Sequence, residues 1–167
     1  IFIPHLKEVA QGYIGSQNVS GSELGQVTGV AIPSQLISGG AAFTLIGHSE
    51  VRARGETKED RARKVALSLQ AKLTTILCVG EHTRDKEGKY LALLEEDVRH
   101  SLSLVEKSLF EHLVIAYEPV WAIGGTTSAT PHESFEVVIA LRRALASLVG
   151  IDYAKKVHVL YGGTVTE

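Results

Sequence analysis

Four short clusters of chemically able side chains each follow directly on an apolar run. Gly47-His48-Ser49-Glu50 follows Ala42–Ile46, Gly80-Glu81 follows Thr74–Val79, Glu118-Pro119 follows Leu113–Tyr117, and Gly162-Gly163 follows Val157–Tyr161. A carboxylate and an imidazole are both side chains able to hold or move a proton, and they stand here at the ends of two different apolar runs. Glycine pairs let backbone N–H groups approach a ligand closely, a common way of holding phosphate. Each residue also has an ordinary reading when taken alone. Glu118 beside a proline is as readily a surface acid as a base, and a lone His48 after a strand is more often structural. On the same footing Glu50 and Arg52 are an ordinary ion pair, Glu81 ties loops together, Cys78 is a small buried hydrophobe and Trp121 is core.

The elements that must position these clusters sharpen the reading. Short apolar runs at Ile1–Ile3, Tyr13–Gly15, Ala42–Ile46, Thr74–Val79, Leu113–Tyr117 and Val157–Tyr161 alternate with longer amphipathic segments. That alternation predicts an α/β protein with a parallel sheet, its strands covered on both faces. One helix carries the stripe Leu91, Leu94, Val98, Leu102, Val105 and Leu109. Another carries Phe135, Val138, Ile139, Leu145, Leu148 and Val149, opened by Thr130 as cap, Pro131 at the first position and Glu133 completing a capping box. A third runs from Lys58 to Lys72 under a Thr57 cap, with Ala62, Val65, Ala66 and Leu69 inward, and a weaker one follows Pro33. In parallel β/α proteins ligands sit at the carboxyl ends of the strands, where all four clusters fall. Periodicity alone leaves a barrel and a doubly wound sheet equally open.

Composition excludes little beyond this. The 167 residues are 44% hydrophobic and 22% charged, with a net charge of −2 and no sorting of acids from bases along the chain. Nothing there points to nucleic acid or a membrane surface as a partner. A single cysteine, Cys78, allows no internal disulfide and fits a reducing, cytoplasmic setting. The chain holds no methionine and begins at Ile1, so the expectation is that it is trimmed, processed or incomplete.

The motifs resemble those of one family. Gly47-His48-Ser49-Glu50 resembles the GHSER motif of triosephosphate isomerases, and Cys78-Val79-Gly80-Glu81 is similar to their C-(V/I)-G-E strand end. Ala116–Gly124 looks like the signature AYEPVWAIG, Tyr161–Val165 resembles YGGSV, and Gln17-Asn18 with Val27-Thr28-Gly29 resemble pieces of the third loop. The resemblance implies a single domain over residues 1–167, a parallel β/α barrel of the TIM type that is incomplete, with about six of eight strands. It implies interconversion of dihydroxyacetone phosphate and glyceraldehyde 3-phosphate, a step of glycolysis and gluconeogenesis, with neither cofactor nor metal. By resemblance Glu118 is the base and His48 the neutral electrophile, with Ser49 and Glu50 supporting. Gly124, Gly162, Gly163 and Thr164 hold phosphate, and Pro119 to Thr130 form a lid with its hinges. The implied partners are a triose phosphate or phosphate ion and a second copy of the chain, docked through Gln17 to Gly29.

Departures from the family pattern set further expectations. The resemblance runs from the second to the seventh strand, so the first-strand N-x-K lysine and the last-strand G-G pair fall outside it. Val51 stands at the first arginine of GHSERR, Gly124-Gly125-Thr126-Thr127 replaces GTGK, and Thr28-Gly29-Val30 replaces T-G-E. Losing one preorganised group at a developing oxyanion costs on the order of 10²–10³ in rate, so the expectation is little or no isomerase activity. The alternative is a non-catalytic barrel scaffold that folds as an oligomer and binds phosphate weakly at most. Open edges at Ile1–Ile3 and Val157–Tyr161 would be closed by a dimer in which two sheets meet, or by rearrangement into a smaller barrel.

Overall fold

A computed structural model of the chain describes residues 3–9, 11–23, 27–124 and 128–164. Five strands, β1 (Gly15–Ser16), β2 (Phe43–Ile46), β3 (Thr74–Val79), β4 (Leu113–Tyr117) and β5 (His158–Tyr161), form one sheet in chain order, every pair parallel. Each crossover carries helix: α2 (Pro33–Ser38) precedes β2, α3 (Ser49–Ala53) and α4 (Lys58–Gln70) precede β3, and α5 (Lys89–Ser101) precedes β4. α6 (Pro131–Val149) and α7 (Ile151–Lys156) precede β5, and α1 (Ile3–Val9) opens the described chain. Sequential parallel strands with helical crossovers are the barrel alternative of the two that periodicity left open, because a doubly wound sheet reverses its strand order. Among the described residues β1 and β5 do not pair with each other, so the sheet is an open arc and not a smaller closed barrel.

The strands bury their two faces unequally. Thr44, Ile46, Thr75, Leu77, Val79, Leu113, Ile115 and Tyr117 are shut away almost completely on the face that packs against the helices. Alternate residues Phe43, Leu45, Thr74, Ile76 and Val114 are only half-buried on the other face. Consecutive apolar residues therefore do mark these strands; cover is complete on the helical side, and on the other face it is complete only toward the carboxyl ends, at Cys78 and Ala116.

Helix starts follow their local chemistry. Thr57 Oγ1 accepts from the Asp60 N–H at 3.0 Å and opens α4, whose Ala62, Val65, Ala66 and Leu69 are buried as the spacing predicts. The Thr130–Glu133 capping box opens α6 with Pro131 behind it. The inward face of α6 is rotated from the predicted stripe: Val137, Ala140, Leu141, Ala144, Leu145 and Val149 are buried, whereas Phe135 and Ile139 are exposed. The small residues Ala140 and Ala144 let the helix approach α5 closely, and a ridge of that kind is silent in a search for large apolar side chains.

Two strand assignments need correction. Ile3 begins α1, with Ile1 and Phe2 outside the described residues; Pro4 at the second position suits a helix start and deprives a strand of a donor. Tyr13 is almost fully exposed and the second expected strand is shifted to Gly15–Ser16, although the ladder continues through the Ala42 N–H to Ile14 O bond at 2.8 Å. No helix among the described residues is long and apolar enough to cross a membrane.

Where β3 and β4 end, the chains come into close approach. A Cβ at Gly80 would lie 1.7 Å from the Glu118 carbonyl oxygen, and no side-chain adjustment can relieve a contact with backbone. Gly80→Ala is expected to cost at least about 1–3 kcal/mol of overpacking. The check is urea unfolding followed by circular dichroism, with a lowered midpoint at unchanged slope.

Candidate active site

Glu118 is the first residue after β4, and its N–H donates to Val79 O at 2.8 Å, so the ladder with β3 runs one residue past the strand. Alternation along β4 then turns its side chain onto the face shared by Val114 and Ala116, away from the helices. Pro119 follows and ends the strand by withholding a donor. Glu118 is only 6% exposed, and its Oε2 has no hydrogen-bond partner among the described residues. Gly162 closes the other side: a Cβ there would stand 3.2 Å from Glu118 Cγ. Glu118 thus occupies a slot between two glycines of neighbouring strand ends.

His48 reaches this slot from the end of β2. Gly47 turns the chain at a positive φ of 78°, and a Cβ on it would meet Arg61 Cδ at 2.6 Å, so the position is confined to glycine twice over. His48 caps α3, its Nδ1 accepting from the Glu50 N–H at 3.3 Å. An Nδ1 used as acceptor carries no proton, which places the imidazole proton on Nε2. Nε2 faces Glu118 Oε1 at 3.5 Å. Base and electrophile predicted from separate motifs are therefore neighbours, and the donor nitrogen points toward the carboxylate's cavity. Cys78 also lies against Glu118; burial first, and then the adjacent carboxylate, push its thiol well above the ordinary range. It is a buried residue as expected, but one that touches the candidate base.

Beside the pair is a cavity of about 270 Å³ lined by His48, Ile123, Gly124, Gly162, Gly163 and Thr164. Every predicted phosphate-binding residue faces it, including Gly124, held at a φ of +72°. Thr164 Oγ1 donates to Ala122 O at 3.3 Å, joining the loop after β5 to the segment after β4. Residues 125–127, where the GTGK-like departure falls, lie outside the described residues, as does Val165.

The two supporting residues behave differently. Ser49 is buried at the first turn of α3. The Glu50 side chain is 72% exposed and pairs with Arg54 at 3.6 Å, so only its backbone serves the site. The Glu50–Arg52 ion pair is not formed, because residues two apart on a helix do not share a face whereas i and i+4 do. Arg52 instead turns inward, its Nη1 3.5 Å from Gly80 O.

A polar clamp that sequence reasoning saw only in part holds the loops around the slot. Glu81 Oε1 accepts from Arg84 Nε at 2.8 Å, from the Tyr117 hydroxyl at 2.9 Å and from the Trp121 indole at 2.9 Å. Arg84 also donates to the Tyr117 hydroxyl at 2.7 Å, pairs with Glu133 at 2.9 Å, and lies between the rings of Tyr90 and Trp121, 5.0 and 4.9 Å from their centroids. Burial opposes its charge, but the bonds to Glu81 and Tyr117 prevail and shift its titration upward. Burial, then Glu81, push the Tyr117 phenol up as well. Glu81 therefore does tie loops together, and Trp121 is held by it. Arg84 and the hydroxyl of Tyr161, which accepts from the Ala129 N–H at 3.3 Å, were missed. The one signal for Arg84 was its three-residue spacing from Glu81, too common to notice.

A sequential parallel sheet with helical crossovers and a carboxylate–imidazole pair at the carboxyl ends of its strands defines an incomplete TIM-type β/α barrel. Comparison with known proteins narrows that class. The family model for triosephosphate isomerase matches residues 2–167. The triosephosphate isomerase of Leptospira biflexa is 40% identical over 171 residues, covering 96% of this chain and 69% of that protein. Those of Caldanaerobacter subterraneus subsp. tengcongensis (40% identity; 91% of the chain, 62% of that protein) and Clostridium botulinum (36%; 99% and 68%) are similar in the same way. The chain belongs to the triosephosphate isomerase family and spans roughly two thirds of the length of these relatives.

Glu133 links the clamp to stability. Hydrogen bonds from the Thr130 backbone, then its hydroxyl, and then the charge of Arg84 hold its carboxyl below the ordinary value of 4.5. A carboxyl lowered in the folded state contributes stability that is fully present above that value and is lost as pH falls through the folded one. Glu133→Gln is therefore expected to be less stable than the parent at pH 7, the difference closing below about pH 4.5 in urea unfolding measured across pH.

Proposed function

We propose that this site binds a triose phosphate and moves a proton between its first and second carbons. The observation that carries the reading is the buried Glu118 carboxylate, with Oε2 unpartnered and Oε1 3.5 Å from the His48 Nε2, beside a glycine-lined cavity. Glu118 takes a proton from the carbon next to the carbonyl, and the C–H electron pair becomes a carbon–carbon double bond. The carbonyl oxygen takes up the negative charge, which the His48 Nε2–H stabilises by hydrogen bonding. The hydroxyl proton on the first carbon passes, by way of His48 Nε2, to the oxygen on the second. The freed electron pair forms the new carbonyl on the first carbon while Glu118 returns its proton to the second, which converts dihydroxyacetone phosphate to glyceraldehyde 3-phosphate. Backbone around Gly124, Gly162, Gly163 and Thr164 receives the phosphate, and the small, largely dry slot favours proton transfer from carbon. The setting is cytoplasmic and the reaction glycolytic, as its substrates require. Assembly is as a homodimer through Gln17–Gly29, supported by the exposure of Thr28, Gly29 and Val30 beside the edge strand β1.

Deuterium uptake into dihydroxyacetone phosphate in heavy water, followed by NMR, tests the proton step. The chain is expected to catalyse exchange slowly, in keeping with its departures from the family motifs, and Glu118→Gln to lower that rate further, toward the level of buffer alone. No exchange above buffer, or equal rates for the two proteins, would sink the proposal. Sedimentation at micromolar concentration is expected to give a dimer, and a monomer there overturns the assembly proposed.

A further inference from the structure

Among the described residues Arg61 is the one arginine buried outright, its side chain 3% exposed, and the chemistry proposed for Glu118 makes no use of it. Its guanidinium leaves α4 and pairs with Asp97 of α5. Its Nε donates to Ser101 Oγ at 2.9 Å, and that hydroxyl donates to the Asp97 carbonyl at 2.7 Å. A buried ion pair is a poor means of stabilising a fold, because an apolar side chain of similar volume often does as well without desolvating two charges. What the pair does supply is direction, since the planar guanidinium holds a carboxylate in a fixed geometry.

The stem of this arginine runs against the turn that carries His48. A Cβ at Gly47 would lie 2.6 Å from Arg61 Cδ and 3.1 Å from the Cys78 carbonyl oxygen, so the turn is clasped between the arginine and the end of β3. His48 is the next residue, with Nδ1 engaged by the Glu50 N–H and Nε2 3.5 Å from Glu118 Oε1. Asp97 serves the base as well. Its Oδ2 is 4.0 Å from Arg52 Nη1, and that nitrogen is 3.5 Å from the oxygen of Gly80, the residue that faces the Glu118 carbonyl. Among the described residues Asp97 is the only carboxylate paired with either arginine, and Arg52 Nε and Nη2 are buried without a partner. One carboxylate on α5 thus stands behind both glycines against which His48 and Glu118 are set.

We infer that Arg61 and Asp97 are positioning residues: their buried pair holds the Arg61 stem against Gly47, and the turn so held aims His48 Nε2 at Glu118. The consequence for catalysis rests on the proton transfer proposed above, whereas the orientation of His48 is read without any substrate.

The test uses the intact chain, with ¹⁵N NMR of the imidazoles and deuterium exchange into dihydroxyacetone phosphate; the His48 signals are those lost in His48→Gln. The parent is expected to show His48 as one tautomer, protonated on Nε2. Arg61→Met keeps an apolar stem under Gly47 but has no bond to Asp97. It is expected to mix the tautomers of His48 and to lower kcat for exchange about tenfold or more, with KM within about twofold of the parent. Arg61→Lys, which can still pair with Asp97, is expected to restore the single tautomer and most of the rate. Should Arg61→Met fail to fold, Asp97→Asn keeps the side chain's shape without its charge and carries the same expectation. A variant that lowers only the urea midpoint, with the His48 signals and kcat of the parent, marks a merely structural pair and overturns the inference. An Arg61→Lys no better than Arg61→Met overturns it too. No exchange by the parent, with a tautomer that still depends on Arg61, sinks the isomerase reading and upholds the positioning.

Discussion

The ladder between β3, β4 and β5 does not stop where the strands stop. The Glu118 N–H reaches back to Val79 O, and the Gly162 N–H to Tyr117 O, each at 2.8 Å. Those two bonds carry the register of the sheet into the loops, and the room for them exists because Gly80 has no side chain where the Glu118 carbonyl passes. Position and direction of the Glu118 carboxyl group follow from this, as does the gap into which His48 extends. A carboxylate whose backbone is set by hydrogen bonds of the sheet itself loses little conformational freedom when a ligand arrives. The rest of the site is arranged about that fixed point.

The clamp at Glu81 solves a different problem. A buried carboxylate is costly unless its charge is met, and here one oxygen takes three donors from three separate elements. Each donor belongs to something that must stay in place: Tyr117 to the strand that carries Glu118, Trp121 to the segment after it, and Arg84 to the loop before α5. Through Glu133 the same guanidinium reaches the start of α6. The result is a cross-tie between the two ends of the Pro119–Thr130 segment, made of charge-assisted bonds and ring stacking rather than apolar packing.

Much of this was legible from residue order alone, and what was hidden was hidden for physical reasons. His48, Glu118 and the glycines stand at strand ends, where alternation and loop chemistry announce them, and the structure brings them together. The cap at Thr57 and the capping box at Thr130 were legible because they depend on residues three apart. Arg84 was not, because its role comes from contact with rings and acids up to dozens of positions away. The inward face of α6 was misplaced because alanines, not leucines, allow the helix to sit close. The exposed Glu50 carboxylate is a similar lesson: its motif marks the backbone donor to His48, while its own side chain turns to Arg54 in water.

The clamp also has an optical consequence. The chain contains one tryptophan, and that indole donates to Glu81 while lying against the Arg84 guanidinium. Its emission therefore comes from one known place, a few residues from the candidate base, with a carboxylate and a cation within contact distance to tune its wavelength and quench its lifetime. Any ligand that shifts the segment after β4 must change the field at that single fluorophore. The protein thus carries a built-in reporter on its own site, needing neither a label nor a substitution.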